Sequence, residues 1–334
     1  MTLVLKLDAE HPQLEVIEQA ASIIRNGGLV AFPTETVYGL GADAMNKQAV
    51  QRIFEAKGRP ADNPLIVHVC DRAMLDLVAD QVSARAEALI AAFWPGPLTL
   101  VLKRRHLVAK SVSAGLSTVA VRMPRSQSAL ELIRRAATPI AAPSANRSGR
   151  PSPTTAAHVA RDLDGRIDMI LDGGGTNIGI ESTVLDLTSE PPVILRPGWV
   201  TREQLMDAIG QVELAEAGEE LKRSPGTRHK HYSPRARVLL VELNSSASIH
   251  QICSDLLKEG PVGFIGHTRV AIDNSVFSAI VLKDRAEDYA RSIYSALREL
   301  DERGASVIVV EGISDQGEGA AVMDRLRRAA SEAQ

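Results

Sequence analysis

Over its first 210 residues the chain alternates short runs of β-branched and aliphatic residues with amphipathic stretches of helical period, and that alternation confines it to an α/β architecture. Strands are predicted at Gly28–Pro33, Leu65–Val69, Leu98–Lys103, Val119–Met123, Ile140–Ala142, Met169–Leu171, Thr183–Leu187 and Val193–Leu195. Helices are predicted at Lys47–Lys57, Ala84–Phe93, Gln127–Ala137 and Arg202–Ile209; the first carries Val50, Ile53, Phe54 and Ala56 at helical spacing and meets a stop at Gly58. Several late strands follow one another without a helix between them, so the sheet is expected to be mixed, open and twisted.

A change of composition marks the end of this region. An acidic, Ala-rich stretch after Gly210 gives way to Leu221–Arg237, which holds six Lys/Arg, two His, two Pro and no acid. Pro225–Gly226 and Ser233–Pro234 break regular structure there, and 211–237 reads as a linker between a domain at 1–210 and a second at 238–334. The second repeats strand and helix as strand (Val238–Leu243), helix (Ala247–Lys258), strand (Val262–Ile265), strand (Ala279–Leu282), helix (Ala286–Arg303), strand (Ser306–Val310), helix (Ala321–Ala330). That is the pattern of a smaller, parallel, Rossmann-like α/β domain. The linker concentrates cations around a single aromatic, Tyr232, and is expected to close over the first domain as a lid; a merely solvated basic spacer is the competing reading.

Composition removes several functions. A net charge of −3 provides no global field for nucleic acid, and 3% aromatics leave few platforms for stacking bases. Cys70 and Cys253 are too few for a disulfide framework or a zinc site, and a reducing, cytoplasmic setting fits them; Cys70, in an apolar run, reads as an inert core thiol. Neither a secretory leader nor a bilayer-spanning run is evident, so no membrane association is expected. The phosphate-loop, dinucleotide, zinc-protease and nucleophile-elbow motifs are all missing; Gly173–Gly179 fits G-x-G-x-x-G in no register.

What remains is a set of polar clusters at strand ends, where open α/β sheets gather ligands. Pro33–Leu40 offers hydroxyls beside Gly39, or is only a turn. Lys57-Gly58-Arg59-Pro60, with Asn63 opening the next strand, sets a point charge beside a guanidinium fork suited to phosphate; capping of the preceding helix is the competing explanation. His68 by itself reads as a structural histidine. Arg122 alternates with Val119, Val121 and Met123, and reads as a carboxylate clamp or as one half of a surface ion pair. Ser144 and Asn146 follow a strand amid small residues, and Glu181-Ser182-Thr183 and Arg196-Pro197-Gly198 flank two more.

Taken together, Pro33–Leu40, Lys57–Pro60 with Asn63–His68, Pro143-Ser144-Ala145-Asn146, Ser182-Thr183 and Arg196-Pro197-Gly198 resemble the YrdC-like family from about Val16 to Gly210. Ser224–Pro234 resembles the linker of its long, two-domain members. The resemblance implies a twisted mixed YrdC-like sheet and a nucleotidyl transfer. L-threonine and bicarbonate or CO₂ would give N-carboxy-threonine, whose carboxylate attacks the α-phosphate of ATP, releasing pyrophosphate and leaving threonylcarbamoyl-adenylate. A tRNA threonylcarbamoyl-transfer complex would consume that product. By the same resemblance Lys57, Arg59, Asn63, Thr118, Ser144, Asn146, Arg196 and Tyr232 would hold ATP, with Lys57 and Arg59 neutralising charge in the reaction. Thr34, His68, Arg122 and Ser182 would surround threonine. Mg²⁺ would arrive on the ATP phosphates, with no direct protein ligand. An RNA-binding accessory protein without adenylating activity is the alternative, and a carbamoyl-adenylate enzyme on the same fold is a third reading.

Overall fold

The computed structural model describes residues 1–215, 232–243, 245, 248–268 and 278–330. The chain forms two compact units. The first takes Met1–Ser148, Ser152–Asn177 and the described residues from Glu181 to 215; the second takes Gly149–Pro151, Ile178–Ile180 and the described residues from Tyr232 onward.

In chain order the first unit contains β1 (Leu3–Lys6), α1 (Leu14–Arg25), β2 (Val30–Phe32), β3 (Gly39–Asp43), α2 (Lys47–Lys57), β4 (Ile66–His68), α3 (Arg72–Val78), β5 (Ala79–Asp80), α4 (Ala84–Phe93), β6 (Leu98–Arg104), β7 (Thr118–Arg122), α5 (Gln127–Ala136), β8 (Ile140–Ala141), α6 (Ala156–Leu163), β9 (Met169–Asp172), β10 (Thr183–Asp186), β11 (Val193–Arg196), α7 (Arg202–Ile209) and β12 (Glu213–Leu214). The strands join in the order β1-β9-β2-β3-β8-β4-β7-β6-β10-β11-β12, with β5 beside β6. Parallel and antiparallel pairs both occur along it, as the expected mixed sheet requires.

Local chemistry fixes the helices. The Asn46 side chain accepts the N–H groups of Gln48 and Ala49 to open α2, and Gly58, left-handed at φ 63°, closes it. Thr201 and Gln204 close a reciprocal capping box on α7.

Strand alternation then assigns the two faces of the sheet. Val67, Leu98, Leu100, Leu102, Val119, Val121 and Leu185 point into the main core, where α2, α3, α4, α6 and α7 supply their apolar faces. On the opposite face, α1 and α5 bury Val30, Phe32, Ile140 and Met169. Farther along that face the helical cover ends. Ile66, Val101, Ala120 and Val184 form a separate small apolar floor with Val193 and Leu195, and Thr99, Thr118, Arg122 and His68 share the floor's alternation.

The second unit contains β13 (Arg237–Val241), α8 (Ile249–Leu256), β14 (Val262–Gly266), β15 (Ser278–Val281), α9 (Ala286–Glu302), β16 (Val307–Glu311) and α10 (Gly319–Ala330). Its sheet, in the order β13-β16-β14-β15, is parallel throughout, as a Rossmann-like unit demands.

The described ends of the expected linker 211–237 take part in the two sheets. Glu213–Leu214 adds a strand beside β11, Arg237 opens β13, and Tyr232 is buried within the second unit. Residues 216–231, which hold most of the expected lid, lie outside the described residues. No helix among the described residues is long and apolar enough to cross a membrane.

Candidate active site

Arg122 closes β7 and is the hub of one end of that polar stretch of the sheet. Its Nε donates to Gly96 O at 3.1 Å and its Nη1 to Thr36 Oγ1 at 2.9 Å, while Nη2 lies 2.7 Å from Glu35 Oε1. Both side chains of that ion pair are more than 90% buried, so the competing reading of a surface pair fails. Thr34 Oγ1 works within its own loop: it donates to Val37 O at 2.6 Å and lies 2.8 Å from Thr36 Oγ1, fixing the hydroxyl that meets Arg122.

His68 pairs with Arg122 across β4 and β7, and Phe32, at the edge of the helical cover, meets its ring edge-on at 6.2 Å. Burial first, and the Arg122 guanidinium second, push its imidazole down to about 3, so it is neutral at pH 7. Its Nδ1 is buried without a hydrogen-bond partner among the described residues. Ser182 Oγ lies 2.8 Å from Thr99 Oγ1 and accepts from Arg196 Nη2 at 3.2 Å; Arg196 also grips the Ser182 carbonyl through Nε and Nη2 at 3.1 and 3.0 Å. Thus the structure joins Arg196, assigned to the nucleotide, with Ser182, assigned to threonine. Gly198 permits this, because a Cβ there would stand 2.1 Å from Thr183 N.

The second cluster gathers around the end of α2. Lys57 is 2% exposed, and its Nζ donates to Ser144 O at 2.5 Å, Asn146 O at 2.6 Å and Asn146 Oδ1 at 3.4 Å. Ser144 Oγ donates to the same Asn146 Oδ1 at 2.6 Å. Capping is therefore the work of Gly58, not of the ammonium, which instead braces the 144–146 loop. Arg59 donates to Pro64 O at 3.2 Å, and Asn63 beside it is fully buried. Thr118 opens β7 four residues from Arg122, about 13 Å along a strand, at the end beside which β4 begins. Arg59, Asn63 and Thr118 thus mark one end of this strand pair, and His68 and Arg122 the other. Tyr232 lies within the second unit, stacked on Tyr294 at 5.5 Å with the Arg325 guanidinium 5.4 Å from its ring.

Thr36 is one of the hydroxyls that Pro33–Leu40 offers, whereas the motifs single out neither Glu35 nor Thr99. Thr99 shares the two-residue period of the floor residue Val101, and Glu35 stands between the two hydroxyls of Thr34 and Thr36. Cys70 is buried and its thiol is pushed up to about 11, by burial first and then by Asp71. Among the described residues no group of three or more His, Cys, Asp and Glu could hold a metal ion.

Comparison with known proteins completes the picture. Residues 22–198 match the family model Sua5_yciO_yrdC, described as "Telomere recombination", and residues 200–331 match Sua5_C, "Threonylcarbamoyl-AMP synthase, C-terminal domain". The threonylcarbamoyl-AMP synthase of Pyrococcus abyssi is 48% identical over 94% of this chain and 93% of its own, and that of Bacillus subtilis 45% over 97% and 95%. The crystal structure of P. abyssi Sua5 complexed with L-threonine superposes with a TM-score of 0.93 at 45% identity, covering 98% of each chain.

Proposed function

The chain belongs to the threonylcarbamoyl-AMP synthases, in the long form that carries the Sua5 C-terminal domain, and from that premise we propose how its first unit divides the reaction among its residues. It is an adenylyl-transferring enzyme that makes threonylcarbamoyl-adenylate from L-threonine and ATP; the RNA-binding alternative is not favoured. Bicarbonate or CO₂ supplies the carbamoyl carbon, pyrophosphate leaves, and a tRNA threonylcarbamoyl-transfer complex takes the product. A cytoplasmic location places the enzyme with those partners.

What supports this division is that Arg59, Asn63 and Thr118 mark one end of the β4–β7 strand pair and His68 and Arg122 the other, with Arg196 and Ser182 meeting between the two sets. Arg122 receives the threonine carboxylate, and Ser182, Thr34 and neutral His68 meet its hydroxyl. A site that hydrogen-bonds a substrate hydroxyl rejects analogues lacking it far more strongly than one that only measures a methyl group. Lys57, Arg59, Asn63, Thr118, Ser144, Asn146 and Arg196 hold the nucleotide.

The chemistry needs no covalent protein intermediate. A carbamate oxygen held in line with the α-phosphorus displaces pyrophosphate, and alignment with fixed positive charge supplies the acceleration. Mg²⁺ arriving with ATP would add charge neutralisation beside Lys57 and Arg59. The residues assigned to the nucleotide carry amides, hydroxyls and cations, which would contact phosphate oxygens and leave a metal to be carried by the phosphates. Pyrophosphate release that requires ATP, threonine and bicarbonate together is the expected result; equal release with threonine omitted would overturn the assignment.

A further inference from the structure

Glu35 has no task in that division, and its surroundings ask for one. The residue is 7% exposed. Its Oε1 pairs with Arg122 and accepts the Arg125 backbone N–H at 3.0 Å, whereas its Oε2 is buried without a hydrogen-bond donor among the described residues. Buried carboxylate oxygens are rarely left so, because the lost hydration has no replacement.

We propose that Glu35 Oε2 receives the amine of threonine and takes up the proton released when that amine is carboxylated. This rests on the threonine assignment and deepens it. An α-amino acid is a zwitterion whose two charges are borne by one carbon. The Arg122–Glu35 pair presents the opposite charges 2.7 Å apart, a cation for the carboxylate and an anion for the ammonium.

The reaction also demands a base. An ammonium has no lone pair, so the nitrogen cannot attack carbon until it has lost a proton. Arg122 cannot accept one, the hydroxyls of Thr34 and Ser182 are too weakly basic, and His68, held at about 3, is a poor acceptor. Among the described residues the carboxylate is the remaining base beside Arg122. Threonine as the ammonium plus bicarbonate gives N-carboxy-threonine, water and one proton. The nitrogen lone pair forms the N–C bond, the C–OH bond of bicarbonate breaks, and one ammonium proton leaves with that hydroxide as water. The second proton passes to Glu35 Oε2 and reaches solvent when the product departs. Among the described residues the charged and titratable groups about this carboxylate are Arg122, which pairs with it, Arg125, which donates its backbone N–H, and His68 beyond Arg122.

The test uses full-length Glu35→Gln and Glu35→Asp in two directions. Forward pyrophosphate release from threonine, bicarbonate and ATP needs the proton acceptor. Reverse formation of ATP from threonylcarbamoyl-adenylate and pyrophosphate does not, and also reports that the variant is folded. Glu35→Gln is expected to slow the forward reaction by about 100-fold or more while holding the reverse within about threefold. Its forward defect narrows as rising pH supplies free amine, and Glu35→Asp restores part of the rate. Equal loss in both directions would reduce Glu35 to a positioning group for Arg122 and overturn the proposal, as would an unaltered forward rate. Wild-type pyrophosphate release without threonine would instead sink the threonine assignment, and the proposal with it.

Discussion

The face of the large sheet that bears the site is two regions built on one alternation. Over β9, β2 and β8 it presents Met169, Val30, Phe32 and Ile140 to α1 and α5, and every outward position is apolar core. Over β4, β7, β6 and β10 the same period delivers Ile66, Ala120, Val101 and Val184 as a small floor, with His68, Arg122, Thr99 and Thr118 among them. The boundary is the contact between Phe32 and His68. The difference shows that an active site can be made by withdrawing a helical layer and substituting polar residues at alternate positions, without altering the strands themselves.

The largest effect that could break this comparison is expected at Arg122. Arg122→Met leaves Glu35 as an unpaired buried carboxylate and should cost about 3–5 kcal/mol of stability along with threonine-dependent turnover. Adding Glu35→Leu should recover most of the stability in urea unfolding and none of the turnover. A double variant as unstable as the single would show that this ion pair is as structural as the covered half.

In that covered half, Ile133→Ala on α5 removes a fully buried side chain and should cost about 2–5 kcal/mol. Turnover per folded molecule should hold, and a selective rise in the threonine KM would blur the boundary between the two regions.

His68 sharpens the contrast through pH. Its imidazole titrates near 6.5 when unfolded and at about 3 when folded, so the unfolded chain binds the additional proton between those values. Its contribution is present above pH 6.5 and is lost progressively as pH falls toward 3. Between pH 6.5 and 5 the loss should be about 2 kcal/mol at 1.36 kcal/mol per pH unit, and His68→Asn should flatten that limb of the stability profile. The smallest effect belongs to Thr99→Val, which deletes the hydroxyl beside Ser182 and should cost about 1 kcal/mol, with a several-fold rise in the threonine KM measured by pyrophosphate release.

Much of this was legible before any coordinates. The structure adds the Asn46 cap at the start of the Lys47–Lys57 helix, which was readable from its apolar spacing and its Gly58 stop. Strand β3 was not: Gly39-Leu40-Gly41-Ala42-Asp43 lacks the β-branched residues that announce a strand, and its conformation comes from its neighbours. Gly41 is demanded by packing, since a Cβ there would approach Ile140 Cγ2 and Phe32 Cε1 to 2.8 Å. β1 escaped notice for a related reason, its partner β9 being more than 160 residues away. At the site, Arg122 and Ser182 could be named from strand pattern and motif. The bond between Arg196 and Ser182 could not, because β10 and β11 meet through a register shift that local sequence does not encode.

The position of β9 between β1 and β2 has a consequence for synthesis. The ribosome delivers all of β1 to β8 before Met169–Asp172 exists to join the first two, and Ser182 and Arg196 emerge later still. A nascent chain ending near residue 160 therefore has Lys57, His68, Arg122 and Asn146 in place along the polymer but a sheet with its penultimate strand missing. Non-local pairing of this kind must bear the entropy of closing a long loop before its contacts form. Assembly of the binding face is thus a late event in translation, and the unpaired edge of β2 is the surface that a chaperone would have to shield until then.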